Sequence, residues 1–247
     1  MKVIFHETFY DVYTSDPASA EGRMEAIVDV IGSSVDLVTA EPAAESQIAL
    51  AHSEAHVRDV KESDLYPIAA LAAGGAIQAA RLGLHEPAFA LIRPPGHHAS
   101  RGSSWGFCYF NNIAVALLTM RQEAFIKTAL VLDIDLHFGD GTVDILEDED
   151  WVKVYNPQAR SRGQYIQEVA HLLSGVKADL IGVSAGFDSH EEDWGKFLAT
   201  EDYFSIGTIV RKASQKCGGG CFAVLEGGYN HDVLGQNVEA LLEGLSV

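Results

Sequence analysis

Asp133-Ile-Asp-Leu-His137 sets two acids and a histidine at alternating positions of the 247-residue chain. On extended backbone such residues point to one face, so Asp135 and His137 can grip one ion together. Asp188, in Ala185-Gly-Phe-Asp188, completes an Asp–His–Asp set. Three protein ligands with one open position make a catalytic rather than a closed structural metal site. Nitrogen and oxygen donors without thiolate suit Zn²⁺, and also accept Fe²⁺ or Co²⁺. Asp133 shares the same face and is placed to accept a hydrogen bond behind the ligands. His97 and His98, in Pro94-Pro-Gly-His-His98, are adjacent, so their rings approach a site from two directions. Each needs a partner to fix its tautomer, and Asp133 and Asp140 are the carboxylates at hand. Tyr229, in Glu226-Gly-Gly-Tyr229, adds a phenol. A metal-polarised water, a histidine base and a phenol aimed at a developing oxyanion together hydrolyse a carbonyl compound.

These residues need a scaffold. Apolar, β-branched runs predict strands at Val3–Phe5, Ala88–Ile92, Ala129–Ile134, Leu180–Ser184 and Phe222–Leu225. Helical spacing predicts helices over Leu65–Leu82, Asn112–Met120, Tyr165–Leu173, Tyr203–Ala213 and Val233–Leu245. The alternation implies βαβ units, hence an α/β fold with a central, mainly parallel sheet and helices on both faces. No repeat or low-complexity linker interrupts it, so residues 1–247 are expected to form a single domain. In such sheets ligands bind beyond the carboxyl ends of the strands. The four polar clusters all follow predicted strands, so they should share one rim. A lone His or Asp at a strand end is more often a satisfied structural group. Four complementary clusters make chance a poor account.

Bulk properties set limits. Hydrophobic residues make up 47% and charged residues 21%, as in ordinary globular chains. A net charge of −18 argues against nucleic acid, because phosphate binding needs clustered Lys and Arg. It fits a cationic substrate, although acidity also serves solubility. Cys108, Cys217 and Cys221 are too few and too scattered for a disulfide framework, which points to reduced thiols and a cytoplasmic setting. No run approaches the length of a membrane span, so no membrane association is expected.

The motifs as a set resemble the histone deacetylase and acetylpolyamine amidohydrolase superfamily, with its arginase-like fold. The matching stretches are Arg93–Ala99, Gly106-Phe-Cys-Tyr-Phe-Asn-Asn112, Asp133–His137 with Gly139-Asp-Gly-Thr142, Ser184–Asp188 and Leu225–Tyr229, in the family's order. The resemblance implies that Asp135, His137 and Asp188 bind metal. It implies that His98, paired with Asp140, is the general base and acid, and that His97, paired with Asp133, acts electrostatically. Tyr229 would polarise the acyl carbonyl. Phe107, with Gly106 beside it, would wall the channel that takes the acylated amine's methylene chain. The activity implied is removal of acetyl or small acyl groups from amines, either acetylpolyamine-type small molecules or acetyl-lysine.

The chain also departs from the family. Phe138 stands where a second histidine usually follows the metal-binding one, and that histidine is not a ligand. The His-Pro-Glu signature is absent, with only Gly22-Arg-Met-Glu-Ala-Ile27 resembling its tail. The segment Asn156–Arg162 replaces the loop that carries the channel's second aromatic. Part of the family's structural monovalent-cation site, for an ion such as K⁺, comes from the same region. Either the channel is open on that side, or a neighbouring subunit of a homo-oligomer supplies the wall, which is the favoured expectation. Two other readings compete. A ureohydrolase-like guanidine hydrolase needs two manganese ions and more ligands, and Phe138 and Tyr229 speak against it. A non-catalytic acyl-binding module would have lost a ligand, His98 or Tyr229, and all are intact. His6, His52, His56, His85 and His171 read as structural or solvent-facing, and His190 and Asp193 as braces. Arg93 is expected to order its turn, while Trp105 is either rim packing or a stacking surface.

Overall fold

The computed structural model describes residues 1–247. Seven strands form one sheet: β1 (Lys2–Phe5), β2 (Asp36–Thr39), β3 (Ala88–Ala90), β4 (Ala129–Asp133), β5 (Val152–Tyr155), β6 (Leu180–Ala185) and β7 (Gly220–Leu225). Every pairing is parallel, in the order β2-β1-β3-β7-β6-β4-β5. The helices are α1 (Arg23–Ile31), α2 (Glu45–Ala51), α3 (Glu54–Glu62), α4 (Tyr66–Gly83), α5 (Asn112–Gln122), α6 (Asp140–Leu146), α7 (Arg162–Leu173), α8 (Thr200–Cys217) and α9 (His231–Ser246).

All residues of β3, β4, β6 and β7 are buried, as strands covered on both faces must be. The Ala-rich α4 lies across β1, β3 and β7 and packs against α5, while α1, α7, α8 and α9 form a second group that meets β6 and β7. One apolar cluster of 70 residues runs through every strand except β2, so the sheet has one core. The two strands that hydrophobic runs fail to predict, β2 and β5, are the sheet's edges. Asp36, Leu37, Thr39 and Lys153 are exposed there, so neither run carries a buried signature. Among the unpredicted helices, α2, α3 and α6 are only 7 to 9 residues long.

The sheet order explains the site. Strands β3, β7, β6 and β4 are consecutive neighbours, so the segments leaving their carboxyl ends are delivered side by side. No helix is long and apolar enough to cross a membrane.

Candidate active site

Asp135 and His137 leave β4, Asp188 leaves β6, and their donor atoms lie within 4.8 Å of one another. Backbone N–H groups orient the carboxylates. Asp135 Oδ2 accepts from Gly227 N at 2.9 Å, and Asp188 Oδ1 accepts from Leu136 N at 3.0 Å. The other oxygens, Asp135 Oδ1 and Asp188 Oδ2, each stand 3.1 Å from His137 Nδ1. Gly227 is needed for this closeness: a Cβ there would sit 2.6 Å from Asp135 Oδ2.

The cluster fits a divalent cation. Asp188 Oδ2 is buried and has no protein donor besides His137 Nδ1, and Asp135 and Asp188 are 9% and 0% exposed. Two carboxylates held this close and this dry repel each other, and a cation between them removes the penalty. Hydrogen bonding to Asp135 and Asp188 pushes His137 up to about 10. A proton on His137 thus answers the same attraction that a metal ion would. Burial and the charge of Asp135 raise Asp188 above the ordinary carboxylate range.

Two His–carboxylate pairs flank the cluster. His97 Nδ1 lies 3.0 Å from Asp133 Oδ2, and His98 Nδ1 lies 2.6 Å from Asp140 Oδ1. The rings stack at 4.0 Å between centroids. Their environments drive them apart. Burial works against a charge on His97, but Asp135 and Asp133 outweigh it and hold its pKa well above the imidazole value. Burial and the neighbouring His97 push His98 down to about 4, against the pull of Asp140. The two rings are thus tuned in opposite directions, which suits one to hold a charge and the other to move a proton.

Beyond the histidines is a pocket of about 150 Å³ lined by Pro95, His97, His98, Trp105, Gly106, Phe107, His137, Trp194, Gly227 and Tyr229. Phe107 meets Tyr229 edge-on at 6.0 Å, and burial followed by the charge of Asp135 raises the Tyr229 pKa, keeping it a neutral donor. The second aromatic wall comes from the chain itself. It is Trp194, stacked on Tyr229, and not part of the segment Asn156–Arg162 that replaces the family's aromatic-bearing loop. The chain thus supplies an aromatic on this side of the pocket by itself. Residues 156–160 instead line a wider cavity of about 450 Å³ with Asp133, Asp135, Leu136, His137, Phe138 and Tyr165. Asn156 Oδ1 there accepts from Gly139 N at 2.9 Å.

Several residues brace the pocket. Asp193 Oδ2 accepts from the backbone of Tyr229 at 2.7 Å and Asn230 at 2.8 Å. Nothing in the sequence marks Glu226 as a brace. Its Oε2 accepts from Gly96 N at 2.6 Å and His97 N at 3.1 Å, tying β7 to the histidine turn. Arg23, fully buried, donates to the carbonyls of Gly228 at 2.8 Å and Glu226 at 2.6 Å. Arg93 reaches past its own turn to Ala20 and Asp11, anchoring the N-terminal segment. His52 is structural: its Nδ1 faces Ser100 O and its Nε2 accepts from Asn111 N, both at 2.9 Å.

Fold and site define a parallel α/β scaffold with a candidate mononuclear metal centre. The profile of the histone deacetylase domain family matches residues 17–165 and 159–245. A probable deacetylase of Methanothermobacter thermautotrophicus is 33% identical, the match covering 98% of this chain and 90% of that protein. Human polyamine deacetylase HDAC10 is 29% identical over 81% of this chain and 40% of its own length. The crystal structure of the HDA15 HD domain superposes with a TM-score of 0.85 at 24% identity, covering 99% of this chain and 88% of that one. The chain belongs to the histone deacetylase domain family.

Proposed function

We propose that the chain hydrolyses N-acetyl and other small N-acyl amides of amines with one Zn²⁺ held by Asp135, His137 and Asp188. What carries this reading is the meeting, beside one 150 Å³ pocket, of the Asp–His–Asp cluster, two oppositely tuned histidines and a neutral tyrosine. A divalent ion in that cluster supplies Lewis-acid polarisation of the acyl carbonyl.

The chain's own residues divide the remaining work. Asp140 occupies His98 Nδ1, leaving Nε2 as the nitrogen that takes a proton from the attacking water and later gives it to the leaving amine. Cationic His97, backed by Asp133, stabilises the negative charge that develops on the substrate. The Tyr229 hydroxyl donates to the acyl oxygen as the tetrahedral oxyanion forms. Phe107 and Trp194 enclose the methylene chain and exclude water. The net charge of −18 raises the local concentration of cationic amines, which favours acetylpolyamines and acetyl-lysine.

The test is acetate release from acetylputrescine, acetylspermidine, acetyl-lysine peptides and longer acyl-lysines on zinc-loaded protein. Release from at least one acetylated amine is expected. No turnover of any of them would sink the proposal.

A further inference from the structure

We propose that Trp105 is a positioning residue for His98, acting through Asp140. The inference rests on the reading of His98 as the proton-transfer group and deepens it. The Trp105 indole Nε1–H donates to Asp140 Oδ2 at 2.8 Å, while Asp140 Oδ1 faces His98 Nδ1 at 2.6 Å. One carboxylate is therefore shared between the indole and the imidazole. The indole also lies along the His98 ring, 3.9 Å between centroids and tilted by 31°. His97 covers the opposite face at 4.0 Å. His98 is thus held on two faces and one edge, and Trp105 governs one face and, through Asp140, the edge.

The loop is shaped for this contact. Gly106 and Phe107 both have positive φ, 58° and 68°, so the chain turns sharply between the two aromatic residues. Trp105 goes to His98 and Phe107 goes to Tyr229. A Cβ on Gly106 would overlap His98 Cδ2, so only glycine lets the loop come this close. Core packing does not account for Trp105, because the residue is 56% exposed. The Asp140 side chain is 43% exposed. A carboxylate at such a position rotates towards water unless both oxygens are engaged. With the indole in place, one oxygen stays on His98 Nδ1, and Nε2 stays unprotonated towards the pocket.

The experiment uses Trp105→Phe, which keeps an aromatic ring and removes the N–H. Wild-type turnover of an acetylated amine is measured first. Against it, Trp105→Phe should lower kcat about tenfold, part of the 10²–10⁴ contributed by a well-placed proton-transfer group, with KM within about threefold. In an Asp140→Asn background the same change should alter kcat by less than about twofold, because the shared carboxylate is already gone. Imidazole ¹⁵N spectra supply a readout that does not need turnover. His98 should be the single Nδ1–H tautomer in the wild type and a mixture in Trp105→Phe. A rise in KM at constant kcat would make Trp105 a substrate platform and overturn the proposal. So would multiplicative effects of the Trp105 and Asp140 changes, or an unchanged His98 tautomer. A wild type without activity on any acetylated amine would sink the functional reading instead, and the ¹⁵N spectra would still decide the role of Trp105.

Discussion

Trp194 lies against Tyr229 with ring centroids 4.1 Å apart and 29° between planes, and it meets His137 edge-on at 6.1 Å. The preceding residue, Asp193, accepts from the Tyr229 backbone. One short loop after Asp188 thus lines the pocket and sets the phenol beside it. Trp194→Ala removes a stacked aromatic pair, a contact of about 0.5–1.5 kcal/mol beyond its buried area. KM for acetylated amines should rise about three- to tenfold, with a smaller change in kcat. Steady-state kinetics decide this, and an unaltered KM would remove Trp194 from the channel.

Tyr229→Phe keeps the ring stacked on Trp194 and deletes only the donor. Loss of one oxyanion donor typically lowers kcat by about 10²–10³. Zinc content and thermal midpoint should match the wild type. A variant that turns over at the parental rate would show that the phenol does not assist the carbonyl.

The two histidines should differ in cost and in pH dependence. His98→Ala should lose about 10²–10⁴ in kcat, and His97→Ala less, because proton transfer is assigned to His98 alone. His98 is an active base only when neutral, and its pKa is pushed down to about 4. As pH falls, kcat/KM should therefore hold through the usual imidazole range and drop only on approach to that value. A pH–rate profile with its acid limb unaltered in His98→Gln would contradict the assignment.

Much of this site was legible in the sequence because its residues sit in short local patterns. Asp135 and His137 are two apart in the sequence just past a buried apolar run, although in the fold they lie on a bend beyond β4 rather than on extended chain. The order β3-β7-β6-β4 was not legible, yet it is what sets the four clusters side by side. Trp194 carries no periodic signal of its own, because its place in the site comes from a long-range stack on Tyr229. Glu226 was hidden for a similar reason: its partners, Gly96 and His97, lie 130 and 129 residues away. Edge strands β2 and β5 lacked the buried apolar run that revealed the central ones.

His52 makes a prediction about stability. It is 2% exposed with both ring nitrogens engaged, and burial, then the adjacent His56, lowers its pKa to about 3 from an ordinary 6.5. The unfolded chain takes up a proton here below its ordinary value, and the folded chain does so only near 3. The stabilisation is therefore complete above that ordinary value and is lost as pH falls from it towards about 3. The slope is about 1.4 kcal/mol per pH unit for one group. Denaturant unfolding of wild type and His52→Gln across pH 4–7 should show the slope reduced by about one proton in the variant. Parallel curves would mean that His52 already carries its proton when folded.

A single divalent ion at Asp135, His137 and Asp188 is the centre of the proposed mechanism. Metal-free protein should release no acetate from acetylated amines, and activity should return linearly with added Zn²⁺ until about one ion per chain is bound. Because hydrogen bonding to Asp135 and Asp188 raises the His137 pKa, calorimetry in buffers of different ionisation enthalpy should show protons released on binding at neutral pH. Full activity without metal, or activity that requires two tightly bound ions per chain, would contradict the mechanism.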